Sequence, residues 1–422
     1  MQNTVTITST KTVKNRIDIS FETSGEWSEL FNGNDFYAEY GTDMSALPPS
    51  LAVVPLMGTL LPLSWLFDGE IILEELDKDY FECIPQVKAG FSEMYPHMDF
   101  GGKVTVGKIV ENKTENTKYA QLFSGGLDAF HTLLANMEKK PLLVSIWGAD
   151  IAPDNAKAWN VVEKHIKETT EQFSLESEVT RCNLRELNTK KLYIREELKK
   201  SGDGWWHGFH HGIGMLSLVA PLAYVYGLTT LFIASSFTEK DRVPCSSDPK
   251  TDNFVRFCGC SVFHYGYESN RQDKTQLICE YAKEHHQDIP VRVCWESTDG
   301  KNCCACEKCY RTMLEFFAEG EDPRRFGFDY GDVPFAQQIE GLNRVETKVK
   351  YLSESQVALR RNYKRNEVPR TIRWIYDKDF SKAGIYYQHK KMKLTRRIYL
   401  KSPKFAKKIL SKIVKLKNKQ RG

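Results

Sequence analysis

The chain is 422 residues long, 41% hydrophobic and 27% charged, with 59 Lys and Arg against 55 Asp and Glu for a formal net charge of +4. That balance excludes a fibrous or low-complexity chain and leaves room for a core shared by two or three domains. The 11 cysteines, five of them crowded between Cys294 and Cys309, read as metal binding in a reducing compartment rather than a disulfide framework.

Residues 1–118 read as a strand-rich first domain. Thr4–Ile7, Arg16–Phe21, Glu70–Leu73 and Lys103–Val106 are short alternating or apolar runs between turn residues. The opening Met-Gln-Asn-Thr-Val-Thr-Ile-Thr has no basic segment leading into an apolar one, so the expectation is a cytoplasmic chain without a secretory leader. Leu47 to Phe67 carries no charge, but Pro48, Pro49, Pro55 and Pro62 favour a buried core segment over a membrane span.

Residues 119–320 form the expected second domain, where strands alternate with helices. Strands are predicted at Tyr119–Phe123, Leu142–Trp147, Glu178–Cys182, Thr229–Ser235 and Val291–Cys294. Helices are predicted at Ala129–Met137, Ala156–Phe173, Ile213–Tyr226 and Lys274–His286. This rhythm argues for an α/β fold with a doubly wound parallel sheet. Ligands in such sheets bind beyond the carboxyl ends of the strands, where Ser124, Trp147 and Ser235 fall.

A strand running into Ser124-Gly125-Gly126-Leu127-Asp128 and then a helix gathers backbone N–H groups at the positive end of a helix dipole. That is a candidate anion site. A tight turn without a ligand is the plain alternative. Cys294, Cys303, Cys306 and Cys309 supply the four thiolates of a tetrahedral zinc site, and an iron–sulfur cluster is the rival. Cys304 is left out, because Cys304-Ala-Cys306 is too tight a chelate if Cys303 also ligates. Trp205 to Gly212 holds His207, His210 and His211, which can carry protons near neutral pH; helix-entry packing is the alternative.

The segment Phe123-Ser124-Gly125-Gly126-Leu127-Asp128 resembles the Ser-Gly-Gly-x-Asp-Ser motif of the N-type ATP pyrophosphatases, the PP-loop superfamily. The cysteine spacing after the domain is similar to that of 7-cyano-7-deazaguanine synthase, and Asn270 to Lys274 resembles that family's Ser-Lys-x-Glu segment. The resemblance covers roughly residues 118–318. It implies a PP-loop fold and ATP as substrate, with Ser124, Gly125, Gly126 and Leu127 at the pyrophosphate, Asp128 beside Mg2+, and Zn2+ on the four cysteines. Trp147 and Ser235 join the nucleotide set; Asp128, Lys274 and His210 are the expected catalytic residues. The implied reaction adenylates a carboxylate or carbonyl of a small molecule, releases pyrophosphate and transfers nitrogen from a donor. The chain departs from the motif at Ala129, where the family has serine. Modification of RNA, DNA or a protein, a defence role included, and a non-catalytic nucleotide-binding scaffold are the alternatives.

Residues 321–422 read as a helical extension, with a helix over Glu346–Tyr363, followed by a basic tail. After Asp379 there are fifteen basic residues and no acidic one, leaving 44 basic against 55 acidic residues elsewhere, a net of −11. Pro403 to Leu416 has the spacing of a basic amphipathic helix. The partners expected for it are an anionic membrane surface at the inner face, nucleic acid, or the protein's own acidic body.

Overall fold

The computed structural model describes residues 3–297 and 299–390. The basic tail beyond them, with its expected helix and its polyanion partners, lies outside the described residues. The chain divides into two compact units, Met1–Asn302 and Cys303–Gly422.

The first unit is α/β and is organised by one eleven-stranded sheet. Its strands are β1 (Thr4–Val13), β2 (Arg16–Ser24), β3 (Asp35–Glu39), β4 (Glu70–Asp77), β5 (Lys103–Val110), β6 (Lys118–Leu122), β7 (Leu142–Trp147), β8 (Ser177–Cys182), β9 (Leu228–Ala234), β10 (Arg256–Phe257) and β11 (Cys260–Tyr265). The order across the sheet is β10-β11-β9-β6-β7-β8-β3-β2-β1-β4-β5. From β11 to β8 every pairing is parallel. The chain steps outward from β6 through β7 to β8, then returns to the other side of β6 at β9, so the carboxyl ends of β6 and β9 flank the point where the winding reverses. Crevices form at such points because the connections diverge to either side.

The N-terminal strands extend this sheet. β3 pairs antiparallel with β8 through Ala38↔Cys182 and Glu39↔Arg181, and the β1–β3 meander continues outward to β4 and β5. Over the sheet lies a helix, Val54–Phe67, every residue of which is buried. Its prolines are tolerated by position. Pro55 sits in the first turn, where the missing N–H would have had no intrahelical acceptor, and only Pro62 is interior. No helix among the described residues is long and apolar enough to cross a membrane.

Two expectations change. Val291–Cys294 is not a strand; its backbone is spent on other partners, the Arg292 N–H donating to the Gly125 carbonyl at 2.6 Å. The last parallel strand is instead β11, whose alternating burial includes an outward Phe263. The Ile213–Tyr226 helix is broken into His211–Ser217 and Ala220–Tyr226.

The second unit holds the helices Glu307–Ala318 and Val349–Asn362 and a small antiparallel pair, β12 (Thr347–Lys348) with β13 (Tyr386–Tyr387). Gln356 Nε2 donates to the carbonyls of Ile375 and, at 2.8 Å, Lys378, closing the end of the Arg373–Asp377 helix.

Two helices of the first unit approach closely at Gly58. A Cβ there would lie 2.7 Å from the Ile213 carbonyl oxygen and 2.9 Å from Gly214 Cα. Backbone cannot yield as a side chain can, so Gly58→Val is expected to lower stability by about 1–3 kcal/mol. Urea unfolding should show a reduced midpoint with an unchanged slope.

Candidate functional site

The loop after β6 is shaped by what holds its carbonyls. Gly125 has φ +71, a left-handed backbone natural to glycine. Arg292 ties the loop from outside: its N–H donates to the Gly125 carbonyl at 2.6 Å and its Nη2 to the Ser124 carbonyl at 3.1 Å. Gly126 is the N-cap of the helix Leu127–Leu134, and its N–H donates to Ser124 Oγ at 3.3 Å. Leu127, 1% exposed, anchors that helix in the core. With the carbonyls tied back, the N–H groups of the first helical turn, which have no acceptor within the helix, make this end attractive to an anion.

His165, from the helix Ala156–Phe173, packs against the same loop. A Cβ on Gly125 would fall 2.5 Å from its Nε2, so a larger residue at 125 disturbs packing as well as any ligand. Arg292 Nε is sealed from solvent without a hydrogen-bond partner, and His165 is held against the Gly125 backbone. Burial, with Arg292 beside it, pushes the His165 imidazole down to about 4.

Across the crevice, the helix Arg271–Glu284 begins with a capping box in which Asn270 Oδ1 accepts from the N–H groups of Gln272 and Asp273, and Asp273 Oδ2 accepts from the Asn270 N–H at 3.0 Å. This start aims two cations at one carboxylate. Lys274 Nζ lies 3.2 Å from Asp128 Oδ1 and also donates to the Ser235 carbonyl; Arg271 Nη1 lies 3.5 Å from Asp128 Oδ2. The Lys274 side chain is 3% exposed and that of Asp128 26%. Asp128, Lys274 and Ser235, distant in sequence, are thus brought together with the glycine loop. Ser235 takes part through its carbonyl, for its hydroxyl donates to the Phe237 carbonyl at 2.7 Å.

Mg2+ does not fit Asp128 as it stands. Both carboxylate oxygens face cations, and among the described residues the only group of three or more His, Cys, Asp or Glu ligand atoms close enough for a metal is the cysteine cluster.

The other expected residues lie elsewhere. Trp147 stacks on Trp159 with ring centroids 5.2 Å apart, carries the Arg181 guanidinium on its ring and donates its Nε1–H to the Ala152 carbonyl. His210 is a core residue, 1% exposed, its Nε2 2.8 Å from Thr59 Oγ1 and its ring stacked on Trp205. Burial pushes it down to about 3, so it stays neutral at physiological pH and does not shuttle protons by ionising. His207 is the exposed histidine of that segment, with Nδ1 2.7 Å from Asp203 Oδ2 and its ring edge-on to Phe237.

Cys294, Cys303, Cys306 and Cys309 have their Sγ atoms within 4.8 Å of one another, and Cys303 and Cys309 are 3.9 Å apart. A tetrahedral ion with metal–sulfur bonds of about 2.3 Å sets thiolates about 3.8 Å apart. The four cysteines therefore present a set that fits a metal ion. The Cys304 thiol instead points at the Asp329 carbonyl, 3.5 Å away.

Sequence reasoning passed over His165, Arg292 and Arg271. Arg271 lies inside the segment that carried Lys274. His165 follows Val162 by three residues and precedes Thr169 by four, on the buried face of its helix, and that polar intrusion was a readable signal. Arg292 left none, because its role depends on a loop far away in sequence.

His131 is also pushed down to about 4 by burial and by Lys274. Below about pH 6.5 the unfolded chain binds protons on His131, His165 and His210 that the folded chain refuses. Stability is therefore lost on acidification from about pH 6.5 to about pH 4, by up to about 1.4 kcal/mol per pH unit for each histidine. Denaturant midpoints across this range should fall, and His210→Gln should flatten the fall by about a third. Comparison of the chain with models of protein families, with curated proteins and with solved structures finds no match.

Proposed function

We propose that the chain is an ATP-dependent synthase of the PP-loop type, which adenylates a carboxylate or carbonyl, releases pyrophosphate and passes the activated group to a nitrogen nucleophile. The observation that carries this reading is the meeting of the Ser124–Asp128 loop with Lys274 where the winding reverses between β6 and β9. The order β11-β9-β6-β7-β8 suits a doubly wound PP-loop fold.

In this reading the helix start at Gly126 receives phosphate oxygens, and Lys274 and Arg271 face the charge that develops on the departing pyrophosphate. Pre-positioned cations of this kind lower the barrier without reorganising during the reaction. A nucleotide-binding scaffold without turnover is favoured by one feature: Ala129, 3% exposed, places a buried methyl where the motif carries a hydroxyl.

Incubation with ATP and a panel of carboxylic acids should yield AMP and pyrophosphate, and labelled pyrophosphate should exchange into ATP. Lys274→Met should weaken ATP binding by tenfold or more and lower stability, with binding measured at a temperature where circular dichroism shows the variant still folded. Formation of ADP and phosphate, or unaltered binding in the variant, would falsify the reading; ATP binding with no exchange for any acid selects the scaffold.

The cysteine set is read as a structural zinc site, whose metal contributes folding free energy directly. Elemental analysis should find one zinc per chain, and Cys306→Ser or Cys309→Ser should lose it together with most of the soluble protein. Iron accompanied by a visible charge-transfer band would assign a cluster instead.

A further inference from the structure

We propose that the crevice binds its pyrophosphate-bearing anion on protein cations alone, with no divalent cation at Asp128. The inference rests on the anion-binding part of the proposed function and departs from the magnesium role that the resemblance implies for Asp128.

The geometry at Asp128 carries it. Lys274 and Arg271 address the two oxygens of Asp128 at 3.2 and 3.5 Å, and Arg292 reaches the Ser124 carbonyl at 3.1 Å. Two cations therefore face the two oxygens of Asp128, and Arg292 holds the loop beside them. The Lys274 ammonium is sealed, 3% exposed, and its remaining contact is the Ser235 carbonyl, so it cannot swing out to make way. Mg2+ demands oxygen ligands at about 2.0–2.1 Å in near-octahedral array. At Asp128 it would have to displace a buried ammonium and then stand beside it. Among the described residues the only group of three or more His, Cys, Asp or Glu ligand atoms close enough for a metal is the cysteine cluster.

A polyanion meets the opposite situation. The Lys274 and Arg271 cations attract it, the helix start at Gly126 adds backbone N–H groups, and Asp128 becomes the spacer that keeps Lys274 and Arg271 apart and aimed until phosphate oxygens arrive. In magnesium-dependent sites the loop carboxylate assists the ligand through the metal. Here it competes with the ligand for the same two cations.

The test is calorimetric titration of inorganic pyrophosphate into the full chain, in buffer freed of divalent ions by a chelating resin and again with Mg2+ present. A soluble chelator is avoided because it would attack a metal on the cysteines. Wild type should bind no more weakly without Mg2+ than with it. Asp128→Asn should tighten metal-free binding by about fivefold, since an opposing charge is removed. Arg271→Gln should weaken it at least tenfold; this variant leaves the Lys274 pair intact and keeps the test valid if Asp128→Asn folds poorly. Comparing variants within the full chain cancels pyrophosphate held by the basic tail. Binding that requires Mg2+ and disappears in Asp128→Asn overturns the inference and leaves the proposed function standing. Wild type that binds pyrophosphate under neither condition overturns both.

Discussion

The first unit depends on one buried ammonium. Lys274 draws together the helix after the β6 loop through Asp128, the strand end at β9 through the Ser235 carbonyl, and its own helix, which starts at Arg271. A charge taken out of water must be repaid by partners, and removing one partner from a buried pair typically costs about 3–5 kcal/mol. The three segments are thus pinned where parallel strands leave a crevice. Arg292 repeats the device on the loop's outer side, where its guanidinium, a permanent cation, holds carbonyls rather than a carboxylate.

The surroundings of the crevice are assembled by burial that leaves polar groups under tension. His165 stays neutral beneath Gly125, and His131 lies within reach of Lys274's field. Sealed nitrogen atoms without partners are rare in folded proteins, because each costs about 1–3 kcal/mol. Here His131 Nδ1 and Arg292 Nε are of that kind, and both residues adjoin the loop, its helix or its lysine. Elsewhere in the first unit buried polar groups pair directly in several places: Tyr80 and Ser217 share a hydrogen bond, and Glu178 accepts from Tyr226 and from the Gly41 N–H.

Much of this was legible in the sequence where period and local chemistry agree. The strand Leu142–Trp147 and the helix Ala156–Phe173 begin and end where their apolar spacing places them. The glycine loop and the cysteine spacing announce themselves because their chemistry is local. Legibility failed where a distant partner decided the outcome. Val291–Cys294 has strand composition, yet Arg292 spends its N–H on Gly125. His210 sits among residues that suggest a pocket wall, but Thr59 and Trp205 draw it into the core. The cluster of prolines in Leu47–Phe67 argues against a long helix until their positions within its turns are known. Even the continuity of the sheet from β8 to β3 leaves no trace in the sequence, because two residue pairs carry it.

That two-pair seam has a consequence for how the chain must be born. β3 emerges early in synthesis, but the strand that completes it, β8, and the helix His211–Ser217 that covers Gly58 come much later. Until then an uncharged apolar helix and an open strand edge wait together, the kind of intermediate that aggregates. Pairings so far apart in sequence also close slowly. Lys274 comes later still, so the crevice can take shape only after this long-range closure has begun.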